Sequence, residues 1–122
     1  MFILDSSVII DVMKGHNVSM LEKLSDEETL ATTVFSVHEV LVGLTDSERH
    51  IGNDFFGNIG ILDFSKDAAL KSIEIEKNLT KKGRKINKVD VFIASICIEN
   101  NCTLITSDKR FRDISGLKTI LV

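Results

Sequence analysis

Apolar residues in this chain follow two patterns: short runs that stop at Ser, Thr, Asp or Gly, and longer stretches in which they return every three or four positions. The short runs read as buried strands, the longer stretches as helices with one apolar face. Phe2-Ile3-Leu4 opens the series as a strand and breaks at Asp5-Ser6-Ser7. The pattern resumes at Val8-Ile9-Ile10 and closes at Lys14-Gly15, a helix ended by its C-cap glycine. Asn17 is placed to cap a short helix with Met20, Leu21 and Leu24 inward. Asp26-Glu27-Glu28 reads as a solvated turn and Thr29–Thr32 as a second strand. Ser36-Val37-His38-Glu39 has capping-box spacing ahead of Val40, Leu41 and Leu44. Gly43 falls inside that helix, where only close packing against a neighbour would excuse it.

The second half repeats the alternation. Residues 47–58 predict a helix with Ile51, Phe55 and Phe56 on its apolar side, and Ile61–Phe64 a third strand. Ser65 caps a long helix through about Lys82, with Ala69, Ile73, Ile75 and Leu79 apolar and Gly83 ending it. Asn87 starts another, carrying Val89, Phe92, Ile93, Ile96 and Cys97, with Asp90 in its first turn. Cys102–Thr106 is a fourth strand, Phe111 and Ile114 anchor the segment beyond it, Gly116 turns, and Thr119–Val122 is the last strand. Strands separated by helices, without hairpin signals, predict an α/β fold with a parallel sheet covered on both faces.

Composition narrows this further. A chain of 122 residues with 43% hydrophobic and 27% charged residues is expected to form one domain spanning 1–122, not a disordered segment. The apolar start lacks a basic region and meets Asp5 at once, which argues against a signal peptide, and no run approaches a membrane span. Cys97 and Cys102 lie in apolar patterns and read as buried thiols of a reducing, cytoplasmic compartment. His16, His38 and His50 are scattered, and nothing has zinc-ligand spacing.

Charge is unevenly spread. Residues 1–60 hold 3 Lys/Arg against 10 Asp/Glu, residues 61–122 hold 12 against 8. Lys77, Lys81, Lys82, Arg84, Lys85 and Lys88 form a window without an acid. Such a window is either a solvated helix end or a contact for a phosphate backbone.

Four acids stand apart from the polar patches. Asp5 and Asp108 follow apolar strands, so in a parallel sheet both lie at its carboxyl edge, while Glu39 and Asp90 sit in first turns of helices that begin there. Each has a local explanation as a cap or a turn former. Together they would repel one another unless a cation lay between them, and oxygen-only ligands suit Mg²⁺ or Mn²⁺.

The same segments resemble the PIN-domain ribonucleases, in particular the small VapC-type toxins. ILDSSVIID matches the family's opening strand and Asp-Thr/Ser-Ser turn, SVHEVLVGL its helix with an early Glu, DVFIASICIENN its Asp followed by an apolar Ile-Ala stretch, LITSDKRF its strand leading to Thr-x-Asp and a Phe, and GLKTILV its closing glycine and strand. The resemblance implies a three-layer PIN-like fold, a central mainly parallel sheet flanked by helices. It implies metal-dependent endonucleolytic cleavage of RNA to a 5′-phosphate and a 3′-hydroxyl. Asp5, Asp90 and Asp108 would be ligands of Mg²⁺ or Mn²⁺, with Glu39 completing the cage or orienting water. Ser7 and Thr106 would hold a ligand carboxylate in place, and Lys77, Lys81, Lys82, Arg84, Lys85 and Lys88 would contact the RNA backbone, joined by Lys109, Arg110 and Arg112. A homodimer and a cognate antitoxin protein are implied partners. Phe55 and Phe56 are either a surface for such a partner or core. Arg110 departs from relatives that carry another acid there, which bears on any second metal position.

Competing enzymes fit less well. A haloacid-dehalogenase-like phosphatase needs an Asp where Ser7 stands, and a response-regulator receiver needs a phosphoacceptor Asp where Asp63-Phe64-Ser65 offers a poor match. The alternative of a different class is a non-catalytic PIN-like RNA- or protein-binding module.

Overall fold

A computed structural model describes residues 1–122. β1 (Phe2–Leu4) leads through α1 (Ser6–Met13) and α2 (Val18–Glu27) to β2 (Leu30–Thr33), and α3 (Val34–Val42) and α4 (Arg49–Phe56) lead to β3 (Gly60–Leu62). The helical pair α5 (Lys66–Lys81) and α6 (Lys88–Glu99) carries the chain to β4 (Thr103–Thr106). A 3₁₀ turn, Lys109–Asp113, then precedes β5 (Lys118–Leu121). The sheet is parallel throughout, in the order β3-β2-β1-β4-β5. The fold is therefore the three-layer α/β architecture expected of a PIN-like chain.

Alternation along the strands divides the interior in two. Phe2, Leu4 and Ile105 join Val8, Ile9, Leu24, Val40 and Phe56 on the face covered by α1 to α4. Ile3 and Leu104 join Ile75, Leu79, Val91, Ile93, Ala94, Cys97 and Phe111 on the face covered by α5 and α6. Strands buried on both faces are what a near-continuous apolar run produces. Both cysteines are buried free thiols, as expected.

Several local expectations shift. α3 begins at Val34, because Thr33 is its cap: the Thr33 hydroxyl accepts the Ser36 N–H at 3.2 Å. Glu39 therefore lies in the second turn and closes no capping box. Asn17 stands in left-handed backbone (φ 56°) and makes no side-chain cap, and α2 runs through Glu27 where a turn was predicted. Gly43 is the C-cap of α3 with ordinary space around it. The close approach is at Gly52, where a Cβ would stand 2.6 Å from Leu41 Cδ2 and 2.8 Å from Leu44 Cδ1. On α5 the buried seam is Ala68, Ser72, Ile75 and Leu79, while Ile73 is half-exposed at 51%. Phe56 is buried in the core, and Phe55 is partly buried against the same cluster, so the core reading holds for Phe56.

Three rings lock the region where α3 and α6 begin. Phe35 of α3, Phe64 ahead of α5 and Phe92 of α6 pack with centroids 4.7–5.5 Å apart. The helices bearing Glu39 and Asp90 are thereby pinned together.

Candidate active site

From β1 the chain moves outward to β2 and β3, then returns to add β4 on the other flank of β1. The strand order reverses between β1 and β4, and ligands of open α/β sheets bind in the crevice outside the carboxyl ends at such a point. Asp5 follows β1 and Ser107-Asp108 follow β4 at this place. The cleft there is lined by Asp5, Ser6, Ser7, Glu39, Asp90, Ser107, Asp108, Lys109 and Arg110, with no apolar side chain among them.

Asp5 is the buried member, 6% exposed. Its Oδ1 accepts the Ser6 N–H at 2.9 Å, capping α1, and its Oδ2 accepts the Thr106 hydroxyl at 2.7 Å. The same Thr106 oxygen accepts the Asp108 N–H at 3.1 Å, so one buried hydroxyl ties together the turns that carry two of the acids. Capping and site geometry thus coincide at Asp5. Burial pushes its carboxyl above the ordinary 3.8, against the hydrogen bonds from Thr106 and Ser6.

Asp90, in the first turn of α6, is raised to about 6 by burial and then by the charges of Asp5, Asp108 and Glu39, with Arg110 the one opposing charge. Glu39 is raised by burial and by Asp5; the Ser6 hydroxyl reaches its Oε2 at a long 3.4 Å. Asp108 goes the other way. Hydrogen bonds from the Arg110 side chain hold its carboxyl below the usual range.

All four acids singled out in the sequence face this cleft, but as the side chains stand no three of them draw close enough to grip one ion. Two are turned onto protein donors, Asp5 onto Ser6 and Thr106, Asp108 onto Arg110. Mutual repulsion opposes any closer approach. The donor set, carboxylates and hydroxyls without thiol or imidazole, is that of a hard divalent cation such as Mg²⁺ or Mn²⁺.

Ser7 contacts no carboxylate: its hydroxyl pairs with that of Ser107 at 3.1 Å, and Ser6 makes the carboxylate contacts instead. Ser6 is the first hydroxyl of the Asp-Ser-Ser stretch and Ser7 the second; for Ser107 the sequence carries no signal beyond its place beside Asp108. The basic window does not line the cleft. Its six side chains are exposed, Lys82 donating to the Asp113 carbonyl and the Ser115 hydroxyl, and Lys88 paired with Glu76 at 3.5 Å. Lys88 is nonetheless the first residue of α6, two positions before Asp90. No helix is long and apolar enough to cross a membrane.

Comparison with known proteins converges on one group. Residues 2–117 match the PIN domain. Ribonuclease VapC2 of Rickettsia felis is 29% identical over 125 residues, covering 95% of this chain and 93% of that protein. In the crystal structure of VapBC2 from Rickettsia felis bound to a DNA fragment from their promoter, the matching chain superposes with a TM-score of 0.89 at 26% identity, covering 99% of this chain and 98% of that one. A toxin-antitoxin complex from Klebsiella pneumoniae shares the fold, with a TM-score of 0.80 at 19% identity and 100% of both chains covered.

Proposed function

Because this chain belongs to the PIN-domain family and is similar over nearly its whole length to a ribonuclease of the VapC type, we propose that it is a metal-dependent endoribonuclease, the toxin of a toxin–antitoxin pair. The observation that carries this reading is the meeting of four acids, from four separate elements, in one cleft without apolar lining at the switch point of the sheet.

Asp5, Asp90 and Asp108 would hold Mg²⁺ or Mn²⁺, directly or through water. Glu39 would complete the shell or orient the attacking water. When bound, the metal polarises a phosphoryl oxygen, lowers the pKa of water and offsets charge on the transition state. Thr106 positions Asp5 and the Asp108 turn with one hydroxyl. Ser7 and Ser107 offer paired hydroxyls at the mouth of the cleft. Lys77, Lys81, Lys82, Arg84, Lys85 and Lys88 would contact the phosphate backbone on the approach to α6.

A cytoplasmic site of action agrees with the two free thiols. We infer a homodimer and a cognate antitoxin as partners, in line with the similarity to a ribonuclease of the VapC type.

The test is incubation of a mixed RNA pool with purified protein and Mg²⁺ or Mn²⁺, beside an EDTA control and Asp5→Asn. Discrete cuts that need the metal and vanish in the variant are expected. One observation favours the second reading, a non-catalytic binding module: Asp108 is already matched by Arg110. RNA retained by the folded protein but left whole at every metal concentration would establish that reading instead.

A further inference from the structure

Arg110 turns its guanidinium back onto the carboxylate two residues before it. Nε lies 3.1 Å from Asp108 Oδ1 and 3.2 Å from Oδ2, and Nη2 lies 2.7 Å from Oδ2. The Arg110 backbone N–H adds a hydrogen bond to Oδ1 at 2.9 Å. Both oxygens of Asp108 are engaged by one residue, in the forked geometry that suits guanidinium and carboxylate. The backbone beneath cannot drift, since Phe111 is buried at 1% exposure and the Asp108 N–H is bound to Thr106. The side chain can. Arg110 is 62% exposed in this pair against 27% for Asp108.

We propose that Arg110 is an internal counter-ion that competes with the divalent cation for Asp108 and is released from it when the cation binds. The inference rests on the cleft being a metal site. Arg110 is then a positioning residue: it contributes no metal ligand, yet it sets how tightly the metal is held. With no cation bound it matches the charge of one of four crowded acids. Cation binding at Asp108 requires the fork to open, so the free energy of the pair is subtracted from the binding. A solvent-screened pair is weak, which lets a divalent ion displace it and limits its effect to about three- to five-fold in affinity.

Calorimetric titration with Mn²⁺ of the wild-type protein, Arg110→Gln, Arg110→Lys and Asp90→Asn tests this. Arg110→Gln is expected to bind Mn²⁺ about three- to five-fold tighter, Arg110→Lys to fall between it and wild type because lysine cannot fork, and Asp90→Asn to bind weakly. A second readout follows release directly. In ¹⁵N-correlated NMR spectra the Arg110 Nε–H signal should move toward that of a free arginine as Mg²⁺ is added. Wild-type binding without tightening in Arg110→Gln, or an Nε–H signal indifferent to saturating Mg²⁺, overturns the competition and leaves the metal site standing. Absence of Mn²⁺ binding in wild type and Arg110→Gln alike overturns both.

Discussion

Asp90 is the acid whose charge the cleft opposes most openly. Its carboxyl rises from the ordinary 3.8 to about 6, first by burial and then by Asp5, Asp108 and Glu39. The sign of the consequence follows from linkage. Between about pH 4 and pH 6 the folded protein holds this proton more firmly than the unfolded chain does. The favourable contribution is complete below the unfolded value and disappears as pH climbs through the folded one, so at neutral pH the ionised group opposes folding. Asp90 is only half-buried and water screens it, so the discounted penalty is about 1 kcal/mol. Asp90→Asn, which keeps the shape and removes the charge, should therefore raise Tm at pH 7.5 by about 4 °C and change it little at pH 4. Thermal melts of both proteins at the two pH values decide it. Equal stabilisation at both would assign the effect to packing and not to repulsion.

Helix starts govern which residues of this site are free to act. With Ser36 and Glu39 as a capping box, Glu39 would be tied to the backbone; with Thr33 as the cap, it projects from the second turn into the cleft. Thr33→Ala should accordingly destabilise by about 1–2 kcal/mol, with Glu39→Ala, which removes the side-chain acceptor a capping box needs, neutral or slightly stabilising in urea unfolding. A larger loss for Glu39→Ala than for Thr33→Ala would restore the capping box. The mistaken start has a physical origin: Thr32-Thr33 are β-branched and continue the pattern of β2, which hides a cap standing at the end of the strand. Elements with a clear period and a clear stop were legible. The predicted strands coincide with β1, β2, β4 and β5 within a residue at each end, because short apolar runs between polar breaks have few other uses. Ile73 shares the apolar pattern of α5 with Ile75 and Leu79, but the period alone does not say which of two adjacent rows faces α6. The row with Ser72 wins, its small side chain bonding the Ala69 carbonyl at 2.6 Å within its own helix. The four acids could be gathered at one edge from their positions after strands and near helix starts. The fold-back of Arg110 onto Asp108 and the Thr106 link between Asp5 and the Asp108 turn depend on side-chain torsions and on which strands are neighbours, and no spacing encodes either.

Across the whole molecule the charges form an acidic cleft and, apart from it, a basic window before α6. On the proposed function the cleft by itself would repel RNA, so positive charge would be needed to hold the backbone until a metal offset the acids. Lys109 and Arg110 are at the rim, but Arg110 is engaged with Asp108. In the window before α6, Lys82 is held by Asp113 and Ser115 and Lys88 faces Glu76. Lys77, Lys81, Arg84 and Lys85 remain as exposed cations leading to the helix that carries Asp90. If these positions track the phosphate backbone, replacing Lys81, Arg84 and Lys85 by Gln together should weaken binding of a single-stranded RNA at all sequences alike. The slope of log K against log salt should flatten by about 2, since each phosphate contact on a single strand contributes roughly 0.7. Cleavage at saturating RNA should stay near the wild-type rate, because the three side chains act on binding and not on the reacting phosphate. Filter binding from low to moderate salt measures the slope, and single-turnover cleavage the rate. An unchanged slope with wild-type affinity would return the window to a solvated helix end and leave Lys109 and the rim to hold the RNA.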